Sequence, residues 1–64
     1  MKLNGQNIPL EREISVQELL IGAGFQLERI AVMLNGEILP RSQLSSVLIK
    51  PDDELEVLSF VGGG

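Results

Sequence analysis

Two Asn-Gly pairs constrain the fold of this 64-residue chain more than any other feature of its sequence. Asn4-Gly5 lies between two short apolar-rich segments near the start of the chain. Asn35-Gly36 lies between the apolar run 30–34 and the segment 37–39, which Pro40 follows. Asn and Gly both accept the positive φ that a two-residue hairpin turn requires. The sequence therefore predicts two β-hairpins, the second of which ends at Pro40.

The segment between the hairpins carries the signals of one short helix. Ser15 is followed by Glu18 three residues later, a capping-box pattern in which each side chain can satisfy a backbone N–H at the helix start. Gly22 and Gly24 are typical of a helix end. Apolar residues at helical spacing predict a buried face; they are Val16, Leu19, Leu20 and Ala23.

A final strand is predicted over residues 54–61, after the turn that Pro51-Asp52-Asp53 indicates. Strand alternation places Leu55 and Val57 on one face and Leu58 and Phe60 on the other. If the helix covers the first face, the second is left open, and an exposed apolar patch marks a partner site. The alternative is that segment 41–50, predicted as a loop with one irregular helical turn, folds over Leu58 and Phe60.

The order hairpin, helix, hairpin, strand predicts an α+β fold. It favours a β-grasp, or ubiquitin-like, roll, in which a mixed sheet of four to five strands packs on one short helix. A chain of this length supports one domain with one modest core, and we assign residues 1–61 to that domain and 62–64 to a flexible tail. The expected core residues are Leu3, Ile8, Leu19, Leu34, Leu55 and Val57.

Composition excludes several classes of function. Cysteine and histidine are absent, which argues against thiol chemistry, transition-metal sites and side-chain catalysis near neutral pH. The net charge is -4, with no Lys/Arg cluster, so nucleic-acid binding is not expected. The acidic segment 52–56 lacks the ligand spacing of a calcium loop, and we interpret it as a solvated turn. No apolar run is long enough for a signal peptide or a membrane span, and we expect a cytoplasmic monomer that needs no cofactor.

The Gly62-Gly63-Gly64 end allows two interpretations. Glycine is a common linker residue, so the end could be a plain frayed terminus. Alternatively, a segment without side chains can thread a narrow enzyme channel and present the α-carboxylate of Gly64. An ionised carboxylate resists nucleophiles until it is converted into an acyl adenylate or a similar ester. The sequence has no phosphate-binding loop, so a partner enzyme would have to supply ATP.

Three segments together resemble the ThiS family of sulfur carriers in thiamine biosynthesis. They are Val32-Met33-Leu34-Asn35-Gly36-Glu37-Ile38-Leu39-Pro40-Arg41, Pro51-Asp52-Asp53-Glu54-Leu55-Glu56 and Phe60-Val61-Gly62-Gly63-Gly64. The resemblance covers essentially the whole chain. It departs from the family at Leu44, where an aromatic residue is common.

The resemblance implies a β-grasp fold and a function for the tail. A ThiF-type adenylyltransferase would adenylate the terminal Gly64, which has Gly63 before it in the family's Gly-Gly end. Sulfur transfer would then give a thiocarboxylate, which thiazole synthase consumes. We expect Leu58, Phe60 and Val61 to contact these two partners, because they lie directly before the tail.

Two alternatives stay open at this stage. The chain could be a sulfur carrier or ubiquitin-like modifier of another pathway, such as molybdopterin synthesis, tRNA thiolation or cysteine synthesis. It could also be a β-grasp interaction module with an incidental glycine tail. An enzyme is set aside, because the sequence offers no nucleophile paired with a base.

Overall fold

The computed structural model describes residues 1–60 of the chain. The strands and helix are β1 (Lys2–Leu3), β2 (Gln6–Asn7), α1 (Val16–Gly22), β3 (Ile30–Leu34), β4 (Glu37–Leu39) and β5 (Glu54–Ser59). Short 3-10 helices at Leu27–Arg29 and Arg41–Gln43 precede β3 and follow β4. The α+β prediction is confirmed.

The strands form one mixed sheet in the order β2-β1-β5-β3-β4. β1 and β5 are parallel at the centre, while β1–β2, β3–β4 and β3–β5 are antiparallel pairs. Five strands on one helix are the arrangement expected for a β-grasp roll.

Both predicted hairpin turns are present. Asn4 and Asn35 have φ of 50° and 52°, and the glycines after them have φ of 83° and 84°. Positive φ at both central residues defines the turn type that matches the twist of paired strands. β2 begins directly after the first turn, earlier than the apolar residues Ile8 and Leu10 had suggested, because a two-residue turn pairs its immediate neighbours.

The turn asparagines also hold the central strand β5. The Asn4 side-chain oxygen accepts a hydrogen bond of 2.8 Å from the backbone N–H of Val57. The Asn35 side-chain oxygen accepts one of 2.9 Å from the N–H of Glu54. Each amide thus continues the pairing of β5 beyond the end of a neighbouring strand.

Helix α1 begins where the capping pattern predicted. The Ser15 hydroxyl accepts a hydrogen bond of 3.0 Å from the N–H of Glu18. Val16 and Leu20 are fully buried, and Leu19 is partly buried against them. Ala23, predicted on the buried face, is the exposed C-cap residue, so that assignment is wrong. The helix has only seven residues and ends before Ala23 can turn toward the core.

The core lies between α1 and one face of the sheet. Leu3, Leu55 and Val57 are buried as predicted, while Ile8, Leu19 and Leu34 are only partly buried at its edge. The remaining buried apolar residues are Val16, Leu20, Ile30, Val32, Leu44 and Ile49.

Segment 41–50 closes the side of the core next to the start of α1. The N–H of Gln17 donates to the carbonyl of Leu44, and the N–H of Ile49 donates to the carbonyl of Ile14, both at 2.9 Å. Leu44 and Ile49 thereby reach the core.

Within residues 1–60, no helix combines the length and the apolar character that a membrane crossing needs.

Candidate functional site

The last strand separates buried from exposed residues as its alternation predicted. Leu55 and Val57 are buried beneath the helix, whereas Leu58 is 63% exposed. Phe60, just beyond the strand, is 57% exposed, so segment 41–50 does not cover it. The strand ends at Ser59, earlier than expected, and the N–H of Phe60 donates to the Arg29 carbonyl at 2.7 Å. Our assignments for Val61, Gly62, Gly63 and Gly64 lie outside the described residues.

Strand pairing assembles an apolar patch around Leu58 on the face opposite the helix. Leu58 lies opposite Ala31, and Met33 lies opposite Ile38. Ile38 is 78% exposed, the most exposed of the large apolar residues within 1–60. We call the set Ala31, Met33, Ile38, Leu58 and Phe60 the open-face patch. The other half of this face, nearer β1, is polar and includes Lys2, Asn4 and Glu56.

A groove of about 320 Å³ adjoins the patch at the end where the described chain stops. It is lined by residues 30–32, 38–41, 44 and 60. Of these lining residues, all in the described part of the chain, only Arg41 is charged. We call it the terminal groove, because Phe60, the last described residue, forms part of its wall.

The carboxylate whose pKa is perturbed belongs to Asp53, which directly precedes β5 at the end of the strand away from Phe60. Burial alone would raise the pKa of Asp53, but hydrogen bonds from the Asn35 side chain and the Lys50 N–H, with the charge of Lys50, lower it below its usual value. The Asn35 amide donates at 3.0 Å and the Lys50 N–H at 2.8 Å. Asp53 therefore stays ionised, and its hydrogen bonds hold the turn at residues 50–53 next to Asn35. Across residues 1–60, no cluster of three or more acidic side chains is placed to hold a metal ion.

The sequence matches the ThiS family over residues 1–64. The chain belongs to the ThiS family. A crystal structure of the thiamine biosynthesis protein ThiS from Geobacter metallireducens has the same fold, with a TM-score of 0.81 and 35% identity. That match covers 98% of this ThiS-family chain and 96% of the other.

Two further relatives differ greatly in length. An uncharacterised protein of Pyropia yezoensis, ycf40, is 39% identical over 64 residues, which are 100% of this chain and 90% of that protein. A thiazole synthase of Magnetococcus marinus is 37% identical over 62 residues. The match covers 97% of this ThiS-family chain but only 19% of the thiazole synthase. The chain thus spans about a fifth of that relative's length.

Sequence reasoning located Leu58 and Phe60 but missed the rest of the surface around them. Met33 and Ile38 join the patch through the β3–β4 register, which the Asn35-Gly36 turn fixes. Counting outward from that turn would have found the pair. Arg41 had no comparable signal, because its place at the groove depends on how the chain turns after Pro40.

Proposed function

We propose that this protein is a sulfur carrier of thiamine biosynthesis whose working group is the α-carboxylate of Gly64. Membership of the ThiS family supports the assignment. The observation that carries it is the position of the open-face patch, which leads to Phe60 and so to the start of the Gly-Gly-Gly end. Residues 1–61 serve as the folded domain that partners recognise, and residues 62–64 enter their active sites.

The chemistry follows from the properties of a carboxylate. A carboxylate oxygen of Gly64 attacks the α-phosphate of ATP on a ThiF-type adenylyltransferase, and pyrophosphate leaves. The acyl adenylate is reactive because AMP is a good leaving group. A persulfide or sulfide sulfur then displaces AMP, and once any S–S bond to the donor is reduced by a thiol, the product is a thiocarboxylate. This chain contributes no catalytic side chain, and the reaction takes place in the cytoplasm.

Thiazole synthase is the proposed consumer of the thiocarboxylate. The Magnetococcus marinus thiazole synthase contains a segment similar to nearly this whole chain. A segment joined covalently to an enzyme reaches its active site at high effective concentration. Docking of the folded domain also brings the tail to the active site, and the open-face patch is the surface proposed for that purpose.

An adenylation assay tests whether the carboxylate of Gly64 is the working group. The chain as printed, incubated with a ThiF-type enzyme and ATP, should release pyrophosphate, and a chain that lacks Gly64 should not. A chain carrying Glu11→Gln serves as a control, since that exposed residue is far from the tail in sequence. Undiminished release from the truncated chain would overturn the proposal.

Docking is tested by truncating two exposed apolar side chains that lie on different faces of the domain. Phe60→Ala removes an aromatic anchor from the patch, and loss of a well-buried interface anchor costs about 2 kcal/mol, or roughly thirtyfold in affinity. Ile21→Ala is the matched control, because Ile21 is 54% exposed on α1. Phe60→Ala should weaken binding to the adenylyltransferase or thiazole synthase without lowering stability. Equal affinities of both variants for both partners would contradict the docking role.

A further inference from the structure

Charges of opposite sign border the open-face patch along the β3–β5 ladder. The Phe60 N–H donates to the Arg29 carbonyl at 2.7 Å, which links these two residues at one end of the ladder. On the open face, the pair that includes Leu58 comes next, and the pair Met33–Glu56 follows it. Arg29 and Glu56 are both exposed. The order along the ladder is therefore cation, apolar patch, anion.

A second cation lies at the same end of the patch as Arg29. Arg41 is exposed and lines the terminal groove together with three members of the patch, Ala31, Ile38 and Phe60. The surface beside Phe60 is therefore positive, although the chain as a whole carries a net charge of -4.

Glu56 supplies the negative border. It lies opposite Met33, a member of the patch, and strand alternation puts its side chain on the same face as that of Leu58. Glu54 shares this face but lies opposite Lys2, whose charge has the opposite sign. Glu56 is thus the carboxylate that a protein seated on the patch meets at the end away from Phe60.

An apolar patch alone does not fix the orientation of a docked protein. Hydrophobic burial is non-directional, so a partner could cover the patch in more than one orientation. Only one of these directs the Phe60 end of the domain toward the partner's active site. Charges across an interface can select it, because like charges that meet in a wrong orientation repel and opposite charges in the right one attract.

We propose that Arg41 and Glu56 fix the orientation in which thiazole synthase docks on the open-face patch. The partner surface that fits has an apolar centre, an acidic group facing Arg41 and a basic group facing Glu56. Thiazole synthase is the chosen occupant because the Magnetococcus marinus enzyme contains a segment similar to this chain, so that domain and enzyme occur in one molecule. The inference rests on the proposed function, since it takes that enzyme as the consumer of the thiocarboxylate.

A charge-swapped chain tests the order of the charges. Arg41→Glu combined with Glu56→Arg keeps the net charge at -4 and reverses the order across the patch. The association rate with purified thiazole synthase is measured by stopped flow at low salt. Each attraction between exposed charges contributes about two- to fivefold, so two repulsions in place of two attractions should slow association about ten- to hundredfold. In about 1 M salt, where the Debye length is about 3 Å, the difference should nearly vanish.

The matched control swaps two exposed charges outside the patch. Glu11→Arg combined with Arg12→Glu also keeps the net charge at -4. This chain should associate at the wild-type rate. Equal urea midpoints of the wild type and both swapped chains would show that the substitutions leave the fold intact, since all four side chains are exposed.

Three outcomes would overturn the inference. The first is an equal association rate for the charge-swapped and wild-type chains at low salt. If Phe60→Ala still weakens binding in that case, only the orientation by charge fails and the sulfur-carrier proposal stands. The second is a wild-type chain that does not bind thiazole synthase measurably. The third is self-association of the wild type that Glu56→Arg abolishes, because opposite charges at the two ends of a patch also match across a two-fold axis.

Discussion

At the scale of single residues, the two turn asparagines have a role beyond their backbone conformation. Asn35 accepts from Glu54 and donates to Asp53, and its own N–H donates to the Glu54 carbonyl at 2.8 Å. Asn4 forms a similar link to Val57 on the other side of β5. The central strand is therefore fixed by side chains as well as by its neighbours.

Substitution of Asn35 separates the two contributions. Asn35→Ala removes both side-chain hydrogen bonds. It also puts alanine at a positive φ, where it lacks the polar side chain that lets asparagine adopt this conformation. We expect the free energy of unfolding to fall by about 2 kcal/mol. Asn35→Gly removes the same bonds but tolerates the φ, and should cost about 1 kcal/mol. Urea denaturation of both variants measures the difference. Equal midpoints would show that the backbone conformation contributes nothing.

Asp53 makes stability depend on pH in the acid range. Its folded-state pKa is lowered below the ordinary value of 3.8, so its contribution is present above that value and is lost as pH falls through the folded pKa. Asp53→Asn removes the titrating group. The stability advantage of wild type over Asp53→Asn should therefore shrink as the pH falls below about 4. An advantage that stays constant to pH 2 would contradict this account.

At the scale of elements, helix α1 depends on the core, because seven residues are too few for a stable helix in water. Leu20 is 0% exposed, Leu19 partly buried and Ile21 exposed. Leu20→Ala should cost about 2 to 5 kcal/mol, of a total of roughly 3 to 10 kcal/mol for a chain of this size. Denaturant midpoints should fall in the order Ile21→Ala, Leu19→Ala, Leu20→Ala, with the last the lowest. A lower midpoint for Leu19→Ala than for Leu20→Ala would show that the helix face is misassigned.

The elements also differ in how far they can be predicted from the sequence. The hairpins, the helix start and the faces of β5 were predictable, because each depends on residues close together in the chain. The irregular helical turn predicted in segment 41–50 is present as the Arg41–Gln43 3-10 helix. The place of this segment against the core was not predictable, because it is set by long-range contacts such as the Gln17–Leu44 hydrogen bond and the Ser15–Leu48 bridge. The same reason explains why Phe60 could be assigned to the candidate site and Arg41 could not.

At the scale of the whole molecule, the helix and core occupy one face of the sheet and the open-face patch occupies the other. This division lets one small domain stay folded while it presents apolar residues up to Phe60, the last described residue. Substitutions in the patch and in the core should accordingly have separate effects, the first on partner binding and the second on stability.

The most direct test of the central claim is the intact mass of the protein isolated from source cells that lack thiazole synthase. The account predicts a species in which one oxygen is replaced by sulfur, with fragmentation placing the sulfur on Gly64. Failure to accumulate this species, or its presence on any other residue, would contradict the assignment of the Gly64 carboxylate as the sulfur-carrying group.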